Sequence, residues 1–160
     1  MEDDECHAQL ELDRLKNDCL AKFSIPYESG TLEAVSYDAA DHEIGRCKLQ
    51  SAGGATSLTL DAEEPAAQTG HLCYVRLRYT DENGITKPLM RGNIQVQVRG
   101  GTLVGLGSAC PFNKHSYLDS ETDTYYGEAL AIVRMGDGDT MTIAASDGEY
   151  SAELTVSAQA

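Results

Sequence analysis

The chain has 160 residues, room for one full domain or for a domain plus a fragment of another, since domains most often hold roughly 100 to 150 residues. It carries 26 acidic against 12 basic residues, a formal charge of −14. A surface of that sign excludes nucleic acid and anionic membrane as partners, because both are bound by cations that displace counterions.

The opening "MEDDECHAQLEL" is acidic where a secretory leader is basic, and no apolar run approaches the roughly 20 residues of a membrane span. Five cysteines, Cys6, Cys19, Cys47, Cys73 and Cys110, are odd in number and widely spaced, with no C-x-x-C pair. Such spacing argues against a zinc site or redox motif. Free thiols in a reducing, cytoplasmic setting are the simpler expectation; an export signal on a longer parent would lie upstream and leave no trace here. Residues 1–19 form a poorly defined segment in which only "MEDDE" reads as a charged tail.

Residues 20–57 read as a partial β-domain. "LAKFSIPY", "GTLEAVSYD" and "EIGRCKLQSA" are three strand candidates, with "ESG" and "DAADHE" as turns between them. Leu12, Leu15, Cys19, Leu20 and Phe23 also fit a helical stripe, but Pro26 and the flanking aromatic and β-branched residues favour a strand over Leu20 to Ile25. Three or four strands make a poor core by themselves. The segment should lean on the C-terminal part of the chain, across a short "SAGGATS" joint, or belong to a domain whose earlier strands lie elsewhere.

From residue 58 to 160 period-2 alternation dominates. In "CYVRLRYTDENG" the set Cys73, Val75, Leu77, Tyr79 alternates with Tyr74, Arg76, Arg78, Thr80, as in a strand with one buried face. "DENG" is a turn signal, with Asn83-Gly84 able to take positive φ cheaply. "NIQVQVRGG" puts Ile94, Val96 and Val98 inward and its glutamines outward. "TLVGLG", "EALAIVR", "DTMTIAAS" and "SAELTVSA" come next, each bounded by Gly, Asp or Ser. With "ATSLTL" in front, about seven strands result, the count of an immunoglobulin-like β-sandwich. The bridge of such a domain would join Cys73 to a facing strand, expected around residues 129–134, where there is no cysteine.

The candidate sites each have a bland alternative. "GGTLVGLGSACPFN" places glycines as a phosphate loop would, but the sixth place of G-x-G-x-x-G is Cys110, Pro111 is next, and no helix opens. Gly100, Gly101, Gly105 and Gly107 read better as places where strands bend or pass close to another backbone. Cys110 near His115 lacks a third group to orient a base, so a half-buried loop thiol is expected. "DSETD", Asp119 to Asp123, has calcium-loop spacing, yet Thr124 and Leu130 stand where the EF-hand glycine and glutamate belong. "MGDGDT" reads as a turn and Cys6-His7 as part of a tail. No metal or cofactor is expected. Glycoside hydrolysis needs two carboxyls about 5 or about 6.5 to 9.5 Å apart across a cleft, and 26 acids supply such pairs by chance, so no catalytic residue is assigned. The aromatic cluster Phe112, Tyr117, Tyr125, Tyr126 is the one concentration able to face a ligand. Packing against a neighbouring domain is the favoured reading for it, and stacking on sugar the alternative, in a chain without Trp.

Read as a unit, the chain from "YVRLRYTDENG" to "SAELTV" resembles the C-terminal immunoglobulin-like domain of family 2 glycoside hydrolases of the bacterial β-galactosidase type. "DENG" after a strand, "GGTLVGLGSACPFN" for the family's G-x-L-x-G-x-G-(S/N)-x-x-P run and "YYGEALAIVR" for its (Y/F)-(N/Y)-G-(R/K)-A-L-A strand carry the resemblance. "AKFSIPYESGTLEAVSYD" is similar to the end of the preceding sandwich domain, with Ser29 in place of the usual proline. The resemblance implies a non-catalytic accessory module whose partners are the other domains of the parent glycosidase, with the catalytic glutamates on a barrel upstream. A carbohydrate-binding immunoglobulin-like module using the 112–126 loop is the alternative function.

Overall fold

A computed structural model describes residues 23–159; the expectations placed on residues 1–22 lie outside the described residues. Among the described residues all regular elements are strands. Strands β1, Thr31–Tyr37, and β2, Glu43–Gln50, pair antiparallel with a register irregularity at Ser36/Tyr37. Asp38 shapes their connection: its Oδ1 accepts the N–H groups of Ala40 at 2.8 Å and His42 at 2.9 Å. The register sets Leu32 opposite Leu49 and Ala34 opposite Cys47, while Glu33 faces Lys48 and Val35 faces Arg46. One face is therefore apolar and one charged, and among the described residues no third strand joins the pair, Leu49 on the apolar face being 65% exposed.

The strand expected over Leu20 to Ile25 does not form in its described part. Residues 23–28 join no ladder. Pro26 removes a donor from this stretch, and Tyr27 is held by its hydroxyl, 3.3 Å from Ser51 Oγ.

The rest is a two-layer sandwich of β3, Ser57–Ala62; β4, Ala66–Ala67; β5, Leu72–Thr80; β6, Asn93–Arg99; β7, Gly101–Gly107; β8, Glu121–Asp123; β9, Glu128–Met135; β10, Thr140–Ser146; and β11, Ser151–Ala158. One sheet has the order β3-β5-β9-β7 and the other β4-β11-β10-β6-β8. Neighbours run antiparallel except β11 with β4. The seven anticipated strands are all present; β4 and β8 are additions, two and three residues long, too short to show alternation.

The core lies between the sheets. Val75, Leu77 and Tyr79 of β5 and Ala131 and Val133 of β9 are fully covered. Ile94, Val96, Met141, Ile143 and Val156 supply the opposing layer. Each large side chain so buried contributes about 1.5–3 kcal/mol.

Two details depart from the sequence expectations. The segment around 129–134 is β9, which does not face Cys73 but lies beside it in the same sheet, Cys73 pairing with Val133. The opposing sheet brings Met141, Ile143 and Ala145 of β10 into the core, and Cys73 is a buried free thiol whose pKa is pushed up by burial and then by Glu64 and Glu63. The "SAGGATS" joint is strapped to the sandwich. Asp81 Oδ2 accepts the Gly53 N–H at 2.6 Å, and Lys87 Nζ donates to Gly54 O, Ala55 O and Thr56 Oγ1 at 2.7–3.0 Å.

Candidate functional site

The concavity with the aromatic residues lies on the outer face of the β3-β5-β9-β7 sheet. A register shift in β7 between Leu103 and Gly105 sets Gly105 beside Ile132 and Gly107 beside Leu130, while Leu106 turns inward beside Ala131. On the other side of β9, Arg76 pairs with Leu130. Two adjacent glycine positions next to two outward aliphatic side chains make a depression in the sheet.

The loop 108–120 walls it. Ser116 and Asp119 fold the loop on itself, the Ser116 N–H donating to Asp119 Oδ2 at 2.9 Å. Tyr117 then returns to the sheet, its carbonyl accepting the Leu106 N–H at 2.8 Å. This bond covers part of an otherwise open sheet edge. The Tyr117 ring rests where Gly107 has no side chain: a Cβ there would lie 2.4 Å from the ring.

The opposite wall comes from the β8–β9 connection. Tyr125 and Glu128 exchange backbone hydrogen bonds at 2.9 and 3.1 Å, and the two residues between them have positive φ, 52° for Tyr126 and 75° for Gly127. That is a two-residue turn of the kind that favours Asn-Gly. Gly127 is required twice over, because a Cβ there would also meet the Lys87 carbonyl at 2.4 Å. Tyr126 is not a residue the turn prefers. Its ring meets that of Tyr125 edge-on, centroids 4.5 Å apart at 67°, and the Tyr126 hydroxyl raises the Tyr125 phenol above its ordinary range.

The resulting open groove has a volume of about 490 Å³ and is lined by Tyr117, Tyr125, Leu130 and Ile132, with Arg76, Ser108 and Glu128 among its polar residues. Of the four aromatic residues singled out in the sequence, the structure therefore brings three together, Tyr126 as the neighbour of Tyr125. Phe112 stands apart, 86% exposed and outside the groove lining. Arg76, Glu128 and the glycine floor were not anticipated. A signal for the groove itself existed in "ALAIV", a continuous apolar run in which the outward residues Leu130 and Ile132 are as apolar as the inward ones.

The remaining candidates stay separate. His115 Nε2 is 3.9 Å from Asp123 Oδ1, and the Cys110 N–H meets Ser108 Oγ at 3.4 Å. Asp119 caps Ser116, and Glu121 accepts the Asn93 side-chain amide. Among the described residues no three His, Cys, Asp or Glu side chains converge as metal ligands. At the start of the glycine-rich stretch, Gly100 has φ of 73° and a Cβ on it would meet Thr140 O at 2.4 Å, so the chain needs glycine to cross from one sheet to the other.

Comparison with known proteins respects the same boundaries. The model of the glycoside hydrolase family 2 C-terminal domain 5 matches residues 57–155, the span from β3 into β11. A glycosyl hydrolase family 2 member from Bacteroides cellulosilyticus DSM 14838 superposes with a TM-score of 0.77 at 28% identity, over 84% of this chain and 19% of that one. A β-glycosidase from Bacteroides vulgatus gives 0.73 at 19% identity, over 83% and 18%. A β-glucuronidase from glycoside hydrolase family 2 gives 0.69 at 16%, over 88% and 15%. The two lower identities speak for the fold alone. The chain spans less than a fifth of the length of these structures. No curated protein matches it.

Proposed function

Since the chain belongs to the glycoside hydrolase family 2 C-terminal domain 5 family, we propose that it is a non-catalytic accessory module of a larger carbohydrate-degrading enzyme. Its role is to pack against and orient other domains of that enzyme or to support its assembly. The observation that carries this reading is the coincidence of the family match, residues 57–155, with the sandwich itself.

The order of the motifs "DENG", "GGTLVGLGSACPFN" and "YYGEALAIVR" points to a β-galactosidase-like parent. That assignment rests on the motifs, since the similar structures include both a β-glycosidase and a β-glucuronidase. In the same reading residues 20–57 are the end of a preceding sandwich and 58–160 the C-terminal one. The open apolar face of the β1–β2 hairpin suits a neighbouring domain that covers it.

The test is direct. The purified chain incubated with chromogenic β-galactoside and β-glucuronide is expected to give no turnover, and the reading frame upstream of Met1 to encode a (β/α) barrel. Turnover that is lost in Glu128→Gln would overturn the reading.

A further inference from the structure

Two features of the groove exceed what packing requires. The first is its form: at about 490 Å³ it falls within the roughly 300 to 1,000 Å³ of small-ligand pockets. Leu130, 37% exposed, and the half-buried Ile132 lie among its lining with the two tyrosines. The second is Tyr126. A bulky residue at positive φ is strained, and such strain persists where surrounding structure or function holds it. Its own ring, 63% exposed, is not buried in compensation; its contact is with Tyr125, which lines the groove.

On the reading that the chain is an accessory module of a carbohydrate-degrading enzyme, we propose that this groove binds a neutral pyranose unit of an oligosaccharide. Tyr117 and Tyr125 offer ring faces to the C–H faces of the sugar, Arg76 and Glu128 bond its hydroxyls, and Tyr126 braces Tyr125. The electron-rich face of a phenol ring attracts polarised C–H groups and is itself apolar, which suits a floor of aliphatic side chains. Arg76 supplies donors only and Glu128 accepts, so the pair addresses both functions of a hydroxyl. Arg76 is held by a loose 3.6 Å contact with Glu63, and Glu128 Oε1 accepts the Thr86 hydroxyl at 3.4 Å; neither contact is tight enough to consume the group. Neutral sugar is favoured over a uronate by charge. One cation and one anion in the groove cancel, and the chain as a whole carries −14, which repels an anionic ligand.

The test is a titration of the ¹⁵N-labelled full chain with methyl β-galactoside, lactose and methyl β-glucuronide at millimolar concentration. The two neutral sugars are expected to shift the amides of Gly105, Gly107 and Leu130, and the glucuronide to bind about tenfold more weakly, a difference of about 1.4 kcal/mol. Tyr117→Ala and Tyr125→Ala should abolish the shifts while the dispersion of the sandwich amides is kept. Tyr126→Asn separates ligand role from packing role: it should raise the thermal midpoint, because Asn suits the turn, and weaken sugar binding several-fold. Absence of shifts at these amides with all three sugars overturns the proposal. So do shifts that survive Tyr117→Ala and Tyr125→Ala, which would place the sugar elsewhere. A glucuronide bound as well as the neutral sugars overturns the charge assignment, and an unchanged affinity in Tyr126→Asn overturns the brace. None of these outcomes touches the accessory reading, which fails only through turnover by the chain itself or the lack of a barrel upstream.

Discussion

Tyr79, on β5 of one sheet, donates its hydroxyl to Asp147 Oδ2 in the turn between β10 and β11 of the other, 68 residues away. Around this bond Asp147 Oδ1 accepts the N–H groups of Glu149 and Tyr150 at 2.9 and 2.7 Å, and the Tyr150 ring meets Tyr79 edge-on at 6.1 Å. A turn and a core strand thus share one carboxylate. Tyr79→Phe keeps the ring and removes a bond to a charged acceptor, so it should cost roughly 1.5–3 kcal/mol, read as a lower urea midpoint at unchanged slope. Gly92→Ala should be worse, since its Cβ would fall 1.8 Å from the Tyr79 hydroxyl oxygen.

The same pair contributes to both limbs of the pH profile. Burial, then the bond to Asp147, raises the Tyr79 phenol above its ordinary 10.0. Its folded value exceeds its unfolded one, so its contribution is complete below pH 10 and is lost as pH rises through the folded value. For Asp147 burial acts upward, but the Tyr79 hydroxyl and the Tyr150 and Glu149 amides outweigh it, and the carboxyl lies below 3.8. Its contribution is complete above that unfolded value and is lost as pH falls through the folded one. Urea midpoints measured across this range should show Tyr79→Phe flattening the alkaline limb and Asp147→Asn the acid limb.

Lys87→Met should loosen the joint without harming the core. The ammonium holds three acceptors between Gly54 and Thr56, none of which belongs to the sandwich interior. Proteolysis within residues 52–56 is expected to accelerate several-fold, with the thermal midpoint of the sandwich nearly unchanged. Cleavage at the wild-type rate would show that Asp81, whose carboxyl is lowered by the Gly53, Ile85 and Asn83 amides against the pull of burial, holds the joint unaided.

Gly107→Ala should evict the Tyr117 ring, because the new methyl would overlap it. Overpacking of this kind costs typically 1–3 kcal/mol when nothing yields, but an exposed loop can yield. The expected readout is faster hydrogen exchange of the Leu106 amide, whose acceptor is the Tyr117 carbonyl, with β5 and β10 amides still protected. Unchanged exchange at Leu106 would mean that the ring moves and the backbone does not.

Legibility in the sequence tracked the range of the interactions. Cys73, Val75, Leu77 and Tyr79 were identifiable as core because a strand with one buried face repeats every two residues. The turn at Asp81 to Gly84 was identifiable for a similar reason: Asp81 bonds the Asn83 and Ile85 amides, and Gly84 takes φ of 77°, all within five residues. Leu20 to Ile25 misled because its described part, though it alternates apolar residues, found no ladder partner. Cys73 misled differently, since strand pairing and strand facing look alike in a linear chain, and β9 proved to be a neighbour of β5.

The sequence by itself determined the all-β class, the seven main strands, the inward residues of β5 and β6 and the aromatic concentration at 112–126, because each is written in local alternation or composition; Thr80, which the alternation turns outward, is buried at the end of β5. Only the tertiary structure decided which of those aromatics share a site. Tyr117 reaches Gly107 through a loop closed by one backbone bond, Arg76 reaches Leu130 through the β5–β9 register, and Phe112, nearest in sequence to the glycine-rich run, stays out in solvent. Register and loop closure are long-range choices. They depend on the whole core burying at once, and no short stretch of the chain records them.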